Sequence, residues 1–141
     1  MATIVERTKQ NPLLVDSGLA NGALTGYENR FVTFASSGAS TGSALVTKST
    51  TQGGVCHGVL MPMNDGSTTI ATGTNVSVAV LGVMEVEAGE AFNAGVEIIS
   101  NATGQAIAQT GTCQVLGWAR EASSASGHLV SIMWAPRYEA S

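Results

Sequence analysis

Charge is the scarcest feature of this sequence. Only 11% of its 141 residues are charged, whereas soluble domains average about 25%. It has two lysines, Lys9 and Lys48, and its six cations are scattered along a chain of net charge −4. Because nucleic-acid binding depends on clustered Lys and Arg that release counterions, direct nucleic-acid binding is not expected. A surface so poor in charge indicates instead that other protein chains cover much of it.

Long apolar runs are also absent, and cysteine is rare. No stretch of about 18 apolar residues occurs, so neither a membrane span nor a membrane partner is expected. The first residues, MATIVERTKQNP, include Glu6 and lack the apolar core of a signal peptide, which predicts synthesis in a cytoplasm. In such a reducing compartment Cys56 and Cys113 are expected to be free thiols.

What the sequence does contain is a β pattern. Several short stretches are rich in β-branched and aromatic residues, and clusters of Gly, Ser, Thr and Asn separate them. The stretches are residues 27–35, 44–48, 55–61, 75–87, 96–100, 113–121 and 128–134. Short strands at fairly regular spacing predict an all-β fold, a small single-domain β-barrel or sandwich. We expect this barrel-like domain to span residues 27–141.

The segment before residue 27 has a different character. Residues 2–11 are polar, Pro12 interrupts them, and the run SGLANGALTG that follows is too rich in glycine for a stable element. We therefore interpret residues 1–26 as an extended N-terminal arm that a partner orders, with a frayed terminus as the alternative.

The candidate catalytic and metal-binding residues are better explained by structural roles. Gly38–Gly42 matches the nucleophile-elbow spacing, but the following SALVTKSTT is β-like, so a turn is the better interpretation. Cys56 and His57 are neighbours in a predicted strand and point to opposite faces, which argues against a thiol–imidazole pair. A zinc site made of both cysteines with His57 and His128 has neither CxxC nor HxxxH spacing.

Two further groups of residues leave alternatives open. Glu85 and Glu87 share one strand face near Glu90, so they could seat a cation or act as an acid/base pair, although a solvated face is favoured. Trp118 and Trp134 fit core or subunit-interface anchors better than a ligand stack. Nothing here supports a catalytic site, a cofactor site or a metal site, so no enzyme activity is expected.

Several runs of the sequence carry a family resemblance. The second half reads GVMEVEAGEAFNAGVEIISNATGQA from Gly82, then VLGWAREA from Val115 and GHLVSI from Gly127. In the first half, LTGY from Leu24 precedes RFV, GVL and VSVAVLG. Over about residues 24–135 the chain thus resembles the capsid cement, or head decoration, proteins of tailed bacteriophages. Such proteins commonly have an acidic residue after the second Ala-Gly, where this chain has Val96 followed by Glu97.

The resemblance implies a β-barrel-like homotrimer on the outer surface of the virion capsid, made in the cytoplasm of the bacterial host. There it would bind the major capsid protein and stabilise the shell by bridging neighbouring subunits. An extended arm can add strand-like hydrogen bonds to a neighbouring sheet edge. The candidate capsid-binding residues of the arm are Ile4, Val5, Arg7, Lys9, Leu13 and Leu14. The alternative function is a trimeric surface module that binds a receptor or a glycan.

Overall fold

The protein is built from β-strands. A computed structural model describes residues 11–35 and 44–139, and within these ranges it contains nine strands and no helix. The strands are β1 (Asn11–Ala20), β2 (Phe31–Phe34), β3 (Leu45–Lys48), β4 (Gly58–Leu60), β5 (Asn75–Glu87), β6 (Glu97–Ser100), β7 (Ala106–Ala108), β8 (Cys113–Ala119) and β9 (Leu129–Glu139). The predicted all-β fold is therefore confirmed. A membrane-spanning helix is absent from these described ranges.

A single sheet, partly closed on itself, contains all of these strands. Its order is β1-β3-β2-β4-β5-β9-β8-β6-β7, and an additional pairing joins β1 to β5. That pairing closes β1, β3, β2, β4 and β5 into a ring of strands. The β1–β3 pairing is parallel and the other strand pairings are antiparallel. Closure matters because it leaves the ring strands with fewer unpaired backbone groups.

β5 is shared by the ring and by the remaining part of the sheet, strands β6–β9. Its first half pairs with β1 and β4, and its last residues pair with β9. Val83 pairs with Asn11 on one edge and Met133 on the other, so β1 and β9 lie on opposite edges of β5. Gly82, with φ +100°, precedes this change of partner, in a backbone region that glycine enters without strain. The long strand therefore ties the ring to the β6–β9 half.

Two ring strands, β2 and β4, have buried side chains on both of their faces. Alternate residues of a strand point to opposite sides, and here each side meets its own core. Phe31 and Val59 enter a core shared with β8 and β9, whereas Val32 and Leu60 enter the core of the ring. The Phe31 ring centroid lies 6.3 Å from that of Trp134. This double burial explains why Phe31-Val32 and Val59-Leu60 are consecutive apolar residues and do not alternate with polar ones.

Two strands of the structure were not predicted from the sequence. One is β1, which is formed by residues 11–20 of the predicted arm, and the other is β7. β1 carries Pro12, Asp16 and Gly18, which sequence patterns assign to loops, yet it pairs with β5 from Asn11 to Leu19. The boundary at residue 26 between an arm and a separate domain stays a prediction. Residues 1–10, with Ile4, Val5, Arg7 and Lys9, lie outside the described residues.

A buried polar cluster joins the two halves near β6. The Tyr27 hydroxyl donates to the Ser49 carbonyl at 3.0 Å, and the Ser100 hydroxyl donates to the Ser49 hydroxyl at 3.2 Å. The Cys56 thiol also reaches the Ser49 hydroxyl, at 3.4 Å. Burial raises the pKa of the Cys56 thiol, and burial likewise raises the pKa of Tyr27 from 10.0 to about 12. Each of these buried hydroxyls thus has a partner, as stability requires.

The raised pKa of Tyr27 predicts a loss of stability at alkaline pH. The folded state holds the phenol proton more tightly than the unfolded chain does, so the free energy of unfolding is unaffected below pH 10.0 and falls as pH rises toward about 12. We expect Tyr27→Phe to reduce this fall, measured as the urea midpoint against pH. The exposed Tyr138 provides the matched control, Tyr138→Phe. An unchanged alkaline fall in Tyr27→Phe would assign the effect to other groups, Cys56 included.

Candidate functional site

The two described residues of the predicted capsid-binding set lie at the surface of β1. Leu13 is 80% exposed and Leu14 is 51% exposed. Leu14 pairs with Leu81 of β5, which is 48% exposed, and Val15 follows with a half-exposed side chain. We call Leu13, Leu14, Val15 and Leu81 the β1–β5 patch. Exposed apolar side chains at neighbouring positions of a strand pair are typical of protein–protein contacts.

Pairing between β1 and β5 is irregular along this patch. The register shifts between Pro12 and Leu14 and again between Leu14 and Val15. Proline lacks the N–H that a ladder needs, so it is found at edges and bulges, and a bulge re-aims the side chains beside it. On its other edge, β1 pairs with β3 only at Leu19 and Ala20. Among the described strands, none pairs with that edge before Leu19.

The structure also places the residues considered for catalysis and metal binding. The Cys56 thiol contacts Ser49, while His57 Nδ1 accepts a hydrogen bond from the Phe34 N–H at 3.0 Å, so the two side chains serve different partners. Cys56 and Cys113 are buried and unbridged, which agrees with the prediction of free thiols. Residues 11–35 and 44–139 bring together no group of three or more His, Cys, Asp or Glu that could hold a metal. Gly38–Gly42 lies outside the described residues.

The sequence favours a solvated strand face for Glu85 and Glu87. For Glu87 this interpretation is wrong, because its side chain is held by partners. Its carboxylate lies 2.8 Å from Arg30 Nη2 and accepts a hydrogen bond from Gln105 Nε2 at 2.6 Å. Arg30 also donates to the Thr103 carbonyl at 3.3 Å and lies 5.5 Å from the centroid of the Tyr27 ring. The group joins the start of β2, the end of β5 and the β6–β7 turn, so Glu87 has a structural role.

The two tryptophans differ in their environments. Trp134 packs against the core beside Phe31, which fits the expected core anchor. Trp118 is 43% exposed, and its neighbours across the sheet are Met133 of β9 and Glu97 of β6. Arg137 forms an ion pair with Glu97 across a sequence separation of 40 residues. Sequence patterns carry no signal for this grouping, because only the register of β6, β8 and β9 brings Glu97, Trp118 and Arg137 together.

These residues line a surface groove of about 360 Å³. Its lining consists of Gly95, Glu97, Val115, Gly117, Trp118, Ala135 and Arg137. We call it the Trp118 groove. It lies on the β6–β8–β9 part of the sheet, whereas the β1–β5 patch lies on the ring. The Trp118 groove and the β1–β5 patch are therefore candidate interaction surfaces on separate strands.

Comparison with known proteins places the chain in a family. Residues 28–133 match the family model for phage cement proteins. No curated protein matches the chain. Among solved structures, the head fiber gp8.5 N base of bacteriophage phi29 matches with a TM-score of 0.64 at 16% identity, covering 86% of this chain and 93% of that one. At this identity the likeness shows a shared fold. Because the family match covers well over half of the chain, this protein belongs to the phage cement protein family and is a structural, capsid-associated protein.

Proposed function

We propose that this protein is a cement protein that binds the outer surface of the phage head as a homotrimer and bridges neighbouring subunits of the major capsid protein. Bridging would stabilise the expanded shell against internal pressure. The role requires no catalytic group, cofactor or nucleic-acid contact. The family match supports it, and the observation that carries it is the β1–β5 patch, an exposed apolar surface beside a strand edge that no described strand pairs before Leu19.

The β1–β5 patch has the chemistry of a docking surface. Burying one leucine side chain fully stabilises a contact by about 1.5–3 kcal/mol. The edge of β1 before Leu19 can form backbone hydrogen bonds with an extended segment of the partner. Docking also costs translational and side-chain entropy, which a single patch offsets only in part. Three copies in a trimer act together through their effective concentration, so weak individual contacts suffice.

The arm residues are the second part of the proposed contact. Residues 1–10 lead directly into β1, so Ile4 and Val5 add apolar side chains, and Arg7 and Lys9 add positive charge, close in sequence to the β1–β5 patch. Arg7 and Lys9 account for two of the six cations in a chain of net charge −4. We propose that this segment docks with the β1–β5 patch on an acidic region of the shell, because opposite charges favour encounter.

The test is attachment to expanded empty shells of the phage that encodes the protein. We expect the wild type to co-sediment with shells and to raise their temperature of disruption. Leu14→Asp places a charge in the proposed contact, so we expect attachment to weaken by about tenfold or more, equivalent to at least about 1.4 kcal/mol. The measurement is the fraction bound against protein concentration.

Val55→Asp is the matched control, since Val55 is an exposed aliphatic residue outside the β1–β5 patch. It should leave attachment unchanged. Equal attachment by wild type and Leu14→Asp would place the contact elsewhere on the molecule. Light scattering tests the trimer separately: we expect three times the chain mass of 14.3 kDa, and a monomer both in solution and on shells would contradict that part of the proposal.

A further inference from the structure

We propose that the Trp118 groove binds a neutral carbohydrate, with one sugar ring stacked on the Trp118 indole and its hydroxyls held by Glu97 and Arg137. This would give the protein a glycan-binding activity in addition to its role in the capsid. It does not depend on how the protein attaches to the shell, because the groove and the β1–β5 patch lie on different strands.

The first observation is the exposure of Trp118 itself. A tryptophan in a sheet normally buries most of its large apolar surface, and Trp134 packs against the core beside Phe31. Trp118 instead is 43% exposed, and it lines the groove. The face of an indole ring carries partial negative charge. It therefore attracts the weakly positive C–H groups on the apolar face of a pyranose ring.

The second observation is the charged pair beside the indole. Glu97 and Arg137 form an ion pair, yet each side chain remains nearly half-exposed. A carboxylate only accepts hydrogen bonds and a guanidinium only donates them. A sugar hydroxyl does both, so two adjacent hydroxyls can donate to Glu97 while accepting from Arg137. The pair is neutral overall, which favours an uncharged ligand over a phosphate or an ammonium group.

The third observation is that glycines leave room in the groove beside Glu97 and Trp118. Gly95 and Gly117 add no side chain to the lining. A Cβ atom added at Gly95 would meet no heavy atom within 4 Å, so the space beside this glycine is open, whereas a Cβ atom at Gly117 would overlap the Met133 carbonyl of β9. The resulting volume of about 360 Å³ is at the lower end of the range for small-molecule sites, about 300–1,000 Å³. That size suits a monosaccharide or disaccharide unit of a longer surface polysaccharide.

The test is a titration of the full-length protein with defined sugars, observed by NMR through the tryptophan indole N–H signals. The probes are maltotriose, tri-N-acetylchitotriose, mannobiose and galactobiose. We expect at least one to shift the Trp118 signal with a Kd of about 1 mM and to leave the Trp134 signal in place. Trp118→Ala and, independently, Arg137→Met should each weaken that binding by about tenfold or more.

Tyr138→Ala is the matched control, because Tyr138 is an exposed aromatic residue of β9 that does not line the groove. It should bind the same sugar as tightly as the wild type. The proposal is overturned if no probe shifts the Trp118 signal, or if Trp118→Ala and Arg137→Met both bind as the wild type does. It is also overturned if Trp118→Ala lowers the oligomeric mass, since the indole would then be a contact between copies of the chain.

Discussion

Replacing Gly117 by alanine is expected to destabilise the domain by about 3 kcal/mol, a large part of the total stability of a domain. The added Cβ would overlap the Met133 carbonyl oxygen and would lie 2.9 Å from the carbonyl carbon of the same residue. Both obstacles are backbone atoms, and the β8–β9 pairing holds them in place. No side-chain rotation can relieve the collision, so the two strands would have to separate locally.

Urea denaturation measures this effect, and Gly111→Ala is the control. Gly111 has φ +65°, and a Cβ atom added there would have no heavy atom within 4 Å outside its chain neighbours, so its substitution costs only the strain of a left-handed alanine. That strain is about 1–2 kcal/mol. If Gly117→Ala were as stable as the wild type, β8 and β9 would not approach each other this closely at Gly117.

Truncation of residues 1–20 is expected to abolish cooperative folding. The truncation removes β1, which pairs with β5 from Asn75 to Val83 and with β3 at Leu45 and Val46. The ring would then be open, and its core around Val46, Val76 and Val78 would be exposed. The resulting loss of free energy is larger than the total free energy of unfolding of an ordinary domain, about 5–15 kcal/mol. The measurement is the thermal unfolding transition followed by circular dichroism.

Truncation of residues 1–10 is the paired variant, and it separates folding from attachment. It keeps every described pairing of β1, so we expect a thermal transition like that of the full chain. It removes Ile4, Val5, Arg7 and Lys9, so we expect clearly weaker attachment to shells. Attachment equal to that of the full chain would refute the arm proposal and leave the β1–β5 patch as the contact. A cooperative transition after removal of residues 1–20 would show that the ring does not need β1.

The sequence alone was enough to predict the fold class and the family. Strand β5 begins and ends at the predicted residues, 75 and 87, because its β-branched residues alternate and turn residues flank it. The family resemblance rests on the spacing of Gly and Ala, and the match over residues 28–133 confirms it. β1 was missed as a strand because its Pro, Asp and Gly have low strand propensity, and its pairing with β5 outweighs that local preference.

The candidate sites depended on tertiary structure. Leu13 and Leu14 are exposed at the point where the register of β1 against β5 shifts, and local pattern does not encode that register. The Trp118 groove depends on strands whose partners lie up to 40 residues apart. Local sequence determines which residues favour strands, because propensity and alternation act over a few neighbours. Only the register between distant strands decides which side chains meet and which remain exposed, since a shift of one residue turns each side chain to the opposite face.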